Sequence, residues 1–425
     1  MRERVIPVAA VQTQAHDRAA FAHHWPTLRA ALTAAAEAGA KLIVAPEGTV
    51  PGYVLGSDPV DPDQIEAAAR DVIAIAAQNG ATIVYGTARP DERGTANSAY
   101  VATGDGIVGF ADKCFLWHFD RRWFRESDRL APVDTPAGKL GIFICADGRI
   151  PTIAATLVAQ GAELLVVPTA WVTSGRDPQA LENIQADVMA PVRARENGVP
   201  LIAANKCGVE RRSVLYCGKS QIVAASGEVL AFAPQDAPTI LHANVEVVPP
   251  PVRAAEPAAV QRGSGGPLPA ALRIAIAARA ERELHILAAT ADAGLTLDPQ
   301  TGPESAEIAL CADDAITDPR ALVAPRLAGV RLFVWRATAI EDRWLIPFAR
   351  TRAAELRAYL VALDLRHERA YAIDPDGAIL CSTFGDFALG AFAFARERTD
   401  AWRVAPATDV RDGLVRVSQL ALQPH

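Results

Sequence analysis

The chain has 425 residues, a length that makes two domains the natural expectation, and half of them are hydrophobic against 21% charged, the balance of a globular protein with large cores. A formal net charge of −7, with no basic stripe interleaved with aromatics, argues against nucleic acid as a partner. The opening Met-Arg-Glu-Arg-Val-Ile-Pro-Val-Ala-Ala lacks the apolar core and cleavage site of a secretory leader. The clean apolar runs are roughly five to eight residues long, too short to cross a bilayer, so the expectation is a cytoplasmic protein with no membrane partner.

From the N-terminus to about Val247 strand and helix alternate. Val5–Gln12 reads as a strand, 17–39 as an Ala-rich helix with apolar Phe21, Leu28, Leu32 and Ala36, and Leu42–Ala45 as a short buried strand. Asp61-Pro62 starts a helix that Asn79-Gly80 stops. A strand follows over 81–87, and strands 99–103 and 107–110 flank the hairpin signal Gly104-Asp-Gly106. Gly138-Lys-Leu-Gly-Ile-Phe-Ile-Cys145 is a buried strand ending in a thiol, and a helix opens near Pro151 and ends at Gly161. Strand 164–167, a helix from about Pro178 to Asn197-Gly198, strand 201–204, and a hairpin of 220–224 with 228–232 complete the series. Such alternation predicts an α/β domain with helices covering sheet faces.

Residues 249–269 break the pattern with Pro-Pro-Pro, Glu-Pro and Gly-Ser-Gly-Gly-Pro-Leu-Pro, the composition of a linker. The remaining 270–425 read as a truncated second copy of the first domain. Glu307-Ile-Ala-Leu-Cys311-Ala-Asp-Asp echoes the segment around Cys145, 329–335 echoes 161–167, Arg352-Ala-Ala-Glu echoes Arg193-Ala-Arg-Glu, and 374–380 echoes 224–230, in the same order. The copy has no acid or lysine ahead of Cys311 matching those of the first half. Residues 270–425 are therefore expected to be a degenerate, non-catalytic domain, Cys311 a core residue, and the pair of domains an intrachain pseudo-dimer unless the chain forms a homo-oligomer.

The chemistry concentrates in the first domain. The six cysteines, Cys114, Cys145, Cys207, Cys217, Cys311 and Cys381, form no CxxC pair, and no HExxH occurs among the eight histidines, so reduced thiols and no metal are expected. A cysteine in an apolar strand is usually a small core residue. Cys145 differs in its setting, at a strand end before a turn and a helix start, whose N–H groups can lower a thiol pKa or hold an oxyanion. Leu42-Ile-Val-Ala-Pro-Glu47 places a carboxylate past one buried strand, and Gly106-Ile-Val-Gly-Phe-Ala-Asp-Lys113 an ammonium past another. Ligands of open α/β sheets sit beyond the carboxyl ends of strands, so an acid, a cation and a nucleophile can meet in one cleft.

Val44-Ala-Pro-Glu47-Gly, Asp112-Lys113-Cys-Phe-Leu-Trp-His-Phe-Asp120-Arg-Arg-Trp-Phe124 and Phe143-Ile-Cys145-Ala-Asp147-Gly-Arg149-Ile-Pro151 resemble the three signature blocks of the nitrilase superfamily of carbon–nitrogen hydrolases. Pro168-Thr-Ala-Trp171, Arg193-Ala-Arg195-Glu-Asn197 and Ala204-Asn205-Lys-Cys-Gly208 are similar to its later blocks, so the resemblance spans about 4–247. It implies a four-layer α-β-β-α sandwich, a Glu47–Lys113–Cys145 triad, an oxyanion held by Lys113 and the Ala146 backbone N–H, and no cofactor. Many members carry a glutamate where this chain has Asp120, which either orients Lys113 or the substrate amine or pairs with Arg121 or Arg122. His118 is the rival base. Arg149 either binds a substrate carboxylate or braces the loop, and Trp171 lines a pocket or packs the core. Cys145-Ala-Asp147 in place of the nitrilases' Cys-Trp-Glu favours a small amide, or an N-carbamoyl compound as the alternative, over a nitrile. A catalytically silent scaffold is the third reading.

Overall fold

A computed structural model describes residues 4–57, 59–173, 175, 179–278, 284–289, 294–297, 305–383 and 389–420. The chain divides into two compact units. The first comprises residues up to 252 together with 405–408 and 415–420, and the second comprises 253–404 and 409–414. The expected second domain thus returns part of its C-terminal stretch to the first unit.

The strands of the first unit are β1 (Arg4–Gln14), β2 (Leu42–Val44), β3 (Thr82–Asp91), β4 (Gly94–Thr103), β5 (Gly106–Asp112), β6 (Val133–Thr135), β7 (Gly138–Ile142), β8 (Leu164–Pro168), β9 (Leu201–Ala204), β10 (Lys206–Glu210), β11 (Val214–Cys217), β12 (Gln221–Val223), β13 (Val229–Phe232) and β14 (Thr239–Val247). Eight of them form one sheet in the order β11-β10-β1-β2-β3-β4-β5, with β14 also on β1, and six form a second, β13-β12-β9-β8-β7-β6. β1, β2 and β3 lie against β8, β9 and β12, so the sheets stack face to face. Helices α1 (Phe21–Glu37) and α2 (Pro62–Asn79) cover the first sheet, and α3 (Pro151–Ala159) and α4 (Ala190–Asn197) the second. This is the four-layer α-β-β-α sandwich. α2 begins where Asp61 accepts from Asp63 N, with Pro62 in its first turn, and it ends on left-handed Gly80. Its apolar stripe, Ile65, Val72, Ile75 and Ala76, packs with Leu32, Ile43 and Tyr85 in one buried cluster.

The expected helix over 178–197 is shorter than its sequence pattern: residue 178 lies outside the described residues, a π-helical turn spans Gln185–Met189, and α4 follows. The hairpin of β10 and β11 was not foreseen, because its polar and cysteine-rich sequence has no clean alternation.

In the second unit, six strands form the order 261–262, 308–311, 332–337, 359–364, 369–373, 379–383. Neighbours there pair antiparallel, parallel, parallel, antiparallel, antiparallel, the same senses as β6·β7, β7·β8, β8·β9, β9·β12 and β12·β13. Both sheets break register in the last pair, at Ile222/Val223 and at Ala372/Ile373. A four-stranded antiparallel sheet packs alongside, and residues 261–262, placed in the linker by composition, belong to the larger sheet.

Gly86 in β3 ties fold to site. Its N–H donates to Pro46 O at 3.0 Å, and a Cβ there would lie 2.5 Å from the Glu47 Cα, the Gly48 N and the Pro46 O. Backbone atoms cannot move aside as a flexible side chain would. Gly86→Ala is expected to lower the unfolding free energy by about 1–3 kcal/mol, read as a shifted urea midpoint; an unchanged midpoint would refute the close approach.

Candidate active site

Each of the three sequence-predicted residues follows a strand end. Glu47 lies just past β2, its N–H donating to Thr169 O at 3.2 Å beyond β8. Lys113 directly follows β5, and Cys145 follows β7 and opens a 3-10 turn, Cys145–Arg149. Cys145 has φ +49, a left-handed conformation unusual for a residue with a Cβ, so the turn holds its backbone under strain.

The Lys113 ammonium sits between two carboxylates, 2.7 Å from Glu47 Oε1 and 2.6 Å from Asp120 Oδ2, and all three side chains are fully buried. Asn97 Nδ2 donates to Glu47 Oε1 at 2.6 Å, the Tyr53 hydroxyl to Asp120 Oδ1 at 2.6 Å, and Trp117 N to Asp120 Oδ2 at 2.9 Å. Asp120 therefore pairs with Lys113, while Arg121 pairs with Glu126 instead. Both strong bonds to Glu47 fall on Oε1; its Oε2 is buried with no hydrogen-bond partner among the described residues.

Electrostatics follow from one cation between two anions in a dry site. Burial raises the Glu47 carboxyl above its usual range, with Lys113 pulling the other way. Burial by itself disfavours the Lys113 ammonium, but Asp120 and Glu47 outweigh it and hold its pKa well above the ordinary value. Burial and the nearby Glu47 push the Cys145 thiol up, against Lys113 and the polar groups of Thr169 and Ala170. The resting sulfur is therefore a protonated thiol.

Asp147, two residues past Cys145, joins the two loops. Its carboxylate accepts from Ile144 N at 2.9 Å, Cys114 N at 3.1 Å and Phe115 N at 2.6 Å, tying the Cys145 turn to the residues after Lys113. Burial pushes its carboxyl up to about 7, against those N–H groups and Lys113. A second buried cation lies behind the acid: Lys206 donates to Gly48 O at 3.0 Å, lies 3.5 Å from Glu210, and faces the rings of Tyr53 and Tyr216. Sequence reasoning assigned none of Asn97, Tyr53, Asp147 or Lys206 a role. The available signal was polarity inside apolar strands and turns, as with Asn97 among Ala96, Ser98 and Ala99.

The other predicted residues divide. Ala146 is buried in the turn that Cys145 opens. The Arg149 guanidinium lies 5.2 Å from the centroid of the Trp117 ring. Trp171 is buried and lines a small cavity of about 10 Å³ with Cys145, Gly148, Gln185 and Met189. Its Nε1 and the Gln185 Oε1 are buried without hydrogen-bond partners among the described residues. His118 is half-buried with its ring edge-on to Phe119, and no contact connects it to the sulfur among the described residues.

A profile of the carbon–nitrogen hydrolase family matches residues 7–248. A probable nitrilase from Schizosaccharomyces pombe is 27% identical over 213 residues, 48% of this chain and 75% of its own. An (R)-stereoselective amidase from a Pseudomonas species is 29% identical over 217 residues, 49% of this chain and 74% of its own. Among solved structures, an amidase from Nesterenkonia sp. superposes with a TM-score of 0.51 at 26% identity, covering 56% of this chain and 89% of that one. A variant of it carries the acetamide moiety of fluoroacetamide on its active-site cysteine.

Asp147→Ala strands three buried N–H groups, each costing about 1–3 kcal/mol. The expected loss of unfolding free energy is about 3 kcal/mol or more, and Asp147→Asn, which keeps one acceptor oxygen, should lose less. Equal urea midpoints for the two variants would refute the linking role.

Proposed function

The chain belongs to the carbon–nitrogen hydrolase family and so is a hydrolase of carbon–nitrogen bonds, and we propose that it hydrolyses a small amide through a thioester on Cys145. The observation that carries this is the unpartnered Oε2 of buried Glu47, whose carboxylate acts electrostatically on the Cys145 thiol and raises its pKa. Glu47 Oε2 takes the thiol proton as the sulfur attacks the amide carbon. The oxyanion forms beside the Lys113 ammonium and the Ala146 N–H. Collapse breaks the C–N bond, and Glu47 returns the proton to the departing ammonia or amine. Glu47 then draws a proton from water, which attacks the thioester; the acid leaves and the thiol is restored.

Lys113 keeps its proton throughout, because two carboxylates hold it, so it acts as a fixed positive charge. Asp120 completes that hold. The unpartnered Trp171 Nε1 and Gln185 Oε1 offer the substrate's acyl portion one donor and one acceptor. The amidases among the similar proteins support an amide over an N-carbamoyl compound.

We propose further that the second unit is a degenerate internal copy without catalysis. The shared strand order and register break support it, as does a shared buried ion pair. Arg193 bonds Glu196 at 2.6 Å and the Gly148 carbonyl at 3.0 Å, while Arg352 bonds Glu355 at 2.6 Å and the Ile316 carbonyl at 2.8 Å. Cys311 is buried, its thiol facing Val334 O at 3.5 Å.

The test is ammonia release from a panel of simple amides and N-carbamoyl compounds, with the mass of the trapped acyl-enzyme. Cys145→Ala should abolish turnover, and Glu47→Gln should reduce kcat about 10²–10⁴-fold. The base must be ionised and its pKa is raised, so activity should fall in acid at a higher pH than an ordinary glutamate would set. Lys113, raised, should impose no alkaline loss below its ordinary range. Carbon dioxide release from carbamoyl compounds alone would replace the amide reading; full turnover by Cys145→Ala would end it.

A further inference from the structure

We propose that the C-terminal stretch of the chain positions the catalytic lysine, with Arg416 and Thr408 locking the loop that carries Lys113 and Asp120. The inference rests on the reading of Cys145 as nucleophile given above.

The loop runs from Lys113 to Ser127 and closes on itself through Ser127 N donating to Lys113 O at 3.0 Å. Its N-terminal end has two N–H groups satisfied by Asp147. Other polar groups of its backbone find no partner within the loop and turn to residues nearly three hundred positions away. The Arg416 guanidinium donates to Cys114 O at 3.0 Å and to Ser127 O, and it pairs with the Glu126 carboxylate. One side chain thus grips the carbonyl next to Lys113, the carbonyl at the far end of the loop and the carboxylate beside it. A planar, multidentate donor suits this role and an ammonium does not.

The middle of the loop is held separately. His118 begins the 3-10 turn that carries Asp120, and its φ of +43 is a strained conformation. Its N–H donates to the hydroxyl of fully buried Thr408 at 2.5 Å. Arg121, on the same turn, donates to Ala407 O at 2.9 Å and to Glu126 at 2.8 Å, so Glu126 joins the two holds. Val417 and Leu420, on the same helix (Val410–Leu420), are buried. Ala407, Thr408, Arg416, Val417 and Leu420 lie in the first unit, yet outside 7–248, so the family match does not contain them.

The consequence is chemical because Lys113 works only where Asp120 and Glu47 hold it. A displacement of about 1 Å from the productive geometry can cost on the order of 10²-fold in rate. Arg416 and Thr408 touch no reacting atom; they are positioning residues.

The full-length protein is treated with iodoacetamide across pH 5–10, the rate of Cys145 alkylation is followed by peptide mass, and hydrogen exchange is measured over 114–127. Arg416→Ala should slow Cys145 alkylation about tenfold or more, shift its pH dependence, and speed exchange in 114–127. Thr408→Ala, which removes one hydroxyl, should act in the same direction by a smaller factor and remains decisive if Arg416→Ala does not fold. Arg411→Ala, an exposed change on the same helix, should stay within twofold of the unaltered protein. Alkylation rates and pH dependence unchanged in both variants overturn the proposal, even if exchange quickens, since that would be a structural role alone. If the unaltered protein fails to label Cys145 preferentially, the nucleophile reading falls instead, and exchange over 114–127 unaltered by Arg416→Ala would then also remove the lock.

Discussion

The site is organised by one buried cation shared between two buried carboxylates. Taking each ion out of water costs several kcal/mol, and the attraction repays this only when geometry is tight and the remaining lone pairs are satisfied. Here Asn97, Tyr53 and the Trp117 N–H supply those further bonds. The trio of Glu47, Lys113 and Asp120 carries one excess negative charge. That excess has a direction: together with burial it keeps the proton on Cys145 and makes Glu47 more basic than an ordinary carboxylate, with its Oε2 unpartnered. A thiolate formed in advance, as beside an imidazolium, is not what this environment favours. In the proposed mechanism this couples proton transfer to attack, because the thiol is neutral until the carboxylate takes its proton.

A site of this kind must be rigid where it is strained. The left-handed backbone at Cys145 stores energy of order 1–3 kcal/mol and survives because three braces hold the turn. Asp147 fixes its start to the lysine loop, Arg193 takes the Gly148 carbonyl, and α3 begins immediately behind at Pro151. Removing Asp147 loosens the sulfur relative to the lysine, because it alone of the three belongs to both loops at once.

The elements with local signals were legible. Asp61-Pro62 and Gly80 mark the true ends of α2, Gly104-Asp-Gly106 marks the turn between β4 and β5, and Leu201–Ala204 coincides with β9. Glu47, Lys113 and Cys145 could be singled out because each follows a recognisable strand, although β5, ahead of Lys113 and expected to be buried, is half-exposed because it ends its sheet. Asn97, Tyr53, Lys206 and Arg416 could not, since what defines them is a partner 50 to 302 positions away. The role of Asp120 turned on the same kind of information: the sequence offers Arg121 and Arg122 as neighbours, and only the fold supplies Lys113 and Tyr53. The π-helical turn at Gln185 interrupts a helical pattern without a glycine or proline to announce it.

The second unit separates what the architecture needs from what the chemistry needs. It keeps the strand that ends in a cysteine, the two parallel neighbours, the antiparallel pair with its register break, and a buried arginine bracing the carbonyl on the segment after that cysteine. Arg193 and Arg352 hold equivalent positions, yet Cys145 is flanked by an acid and a lysine while Cys311 sits against a backbone carbonyl, its pKa raised by burial and by the carboxylates of Asp313 and Asp314. The arginine–glutamate brace therefore ties a helix to the segment that follows the cysteine strand in both units. In the first unit the same brace lies behind the turn of Cys145, and Glu47 and Lys113 reach that thiol from the ends of two other strands.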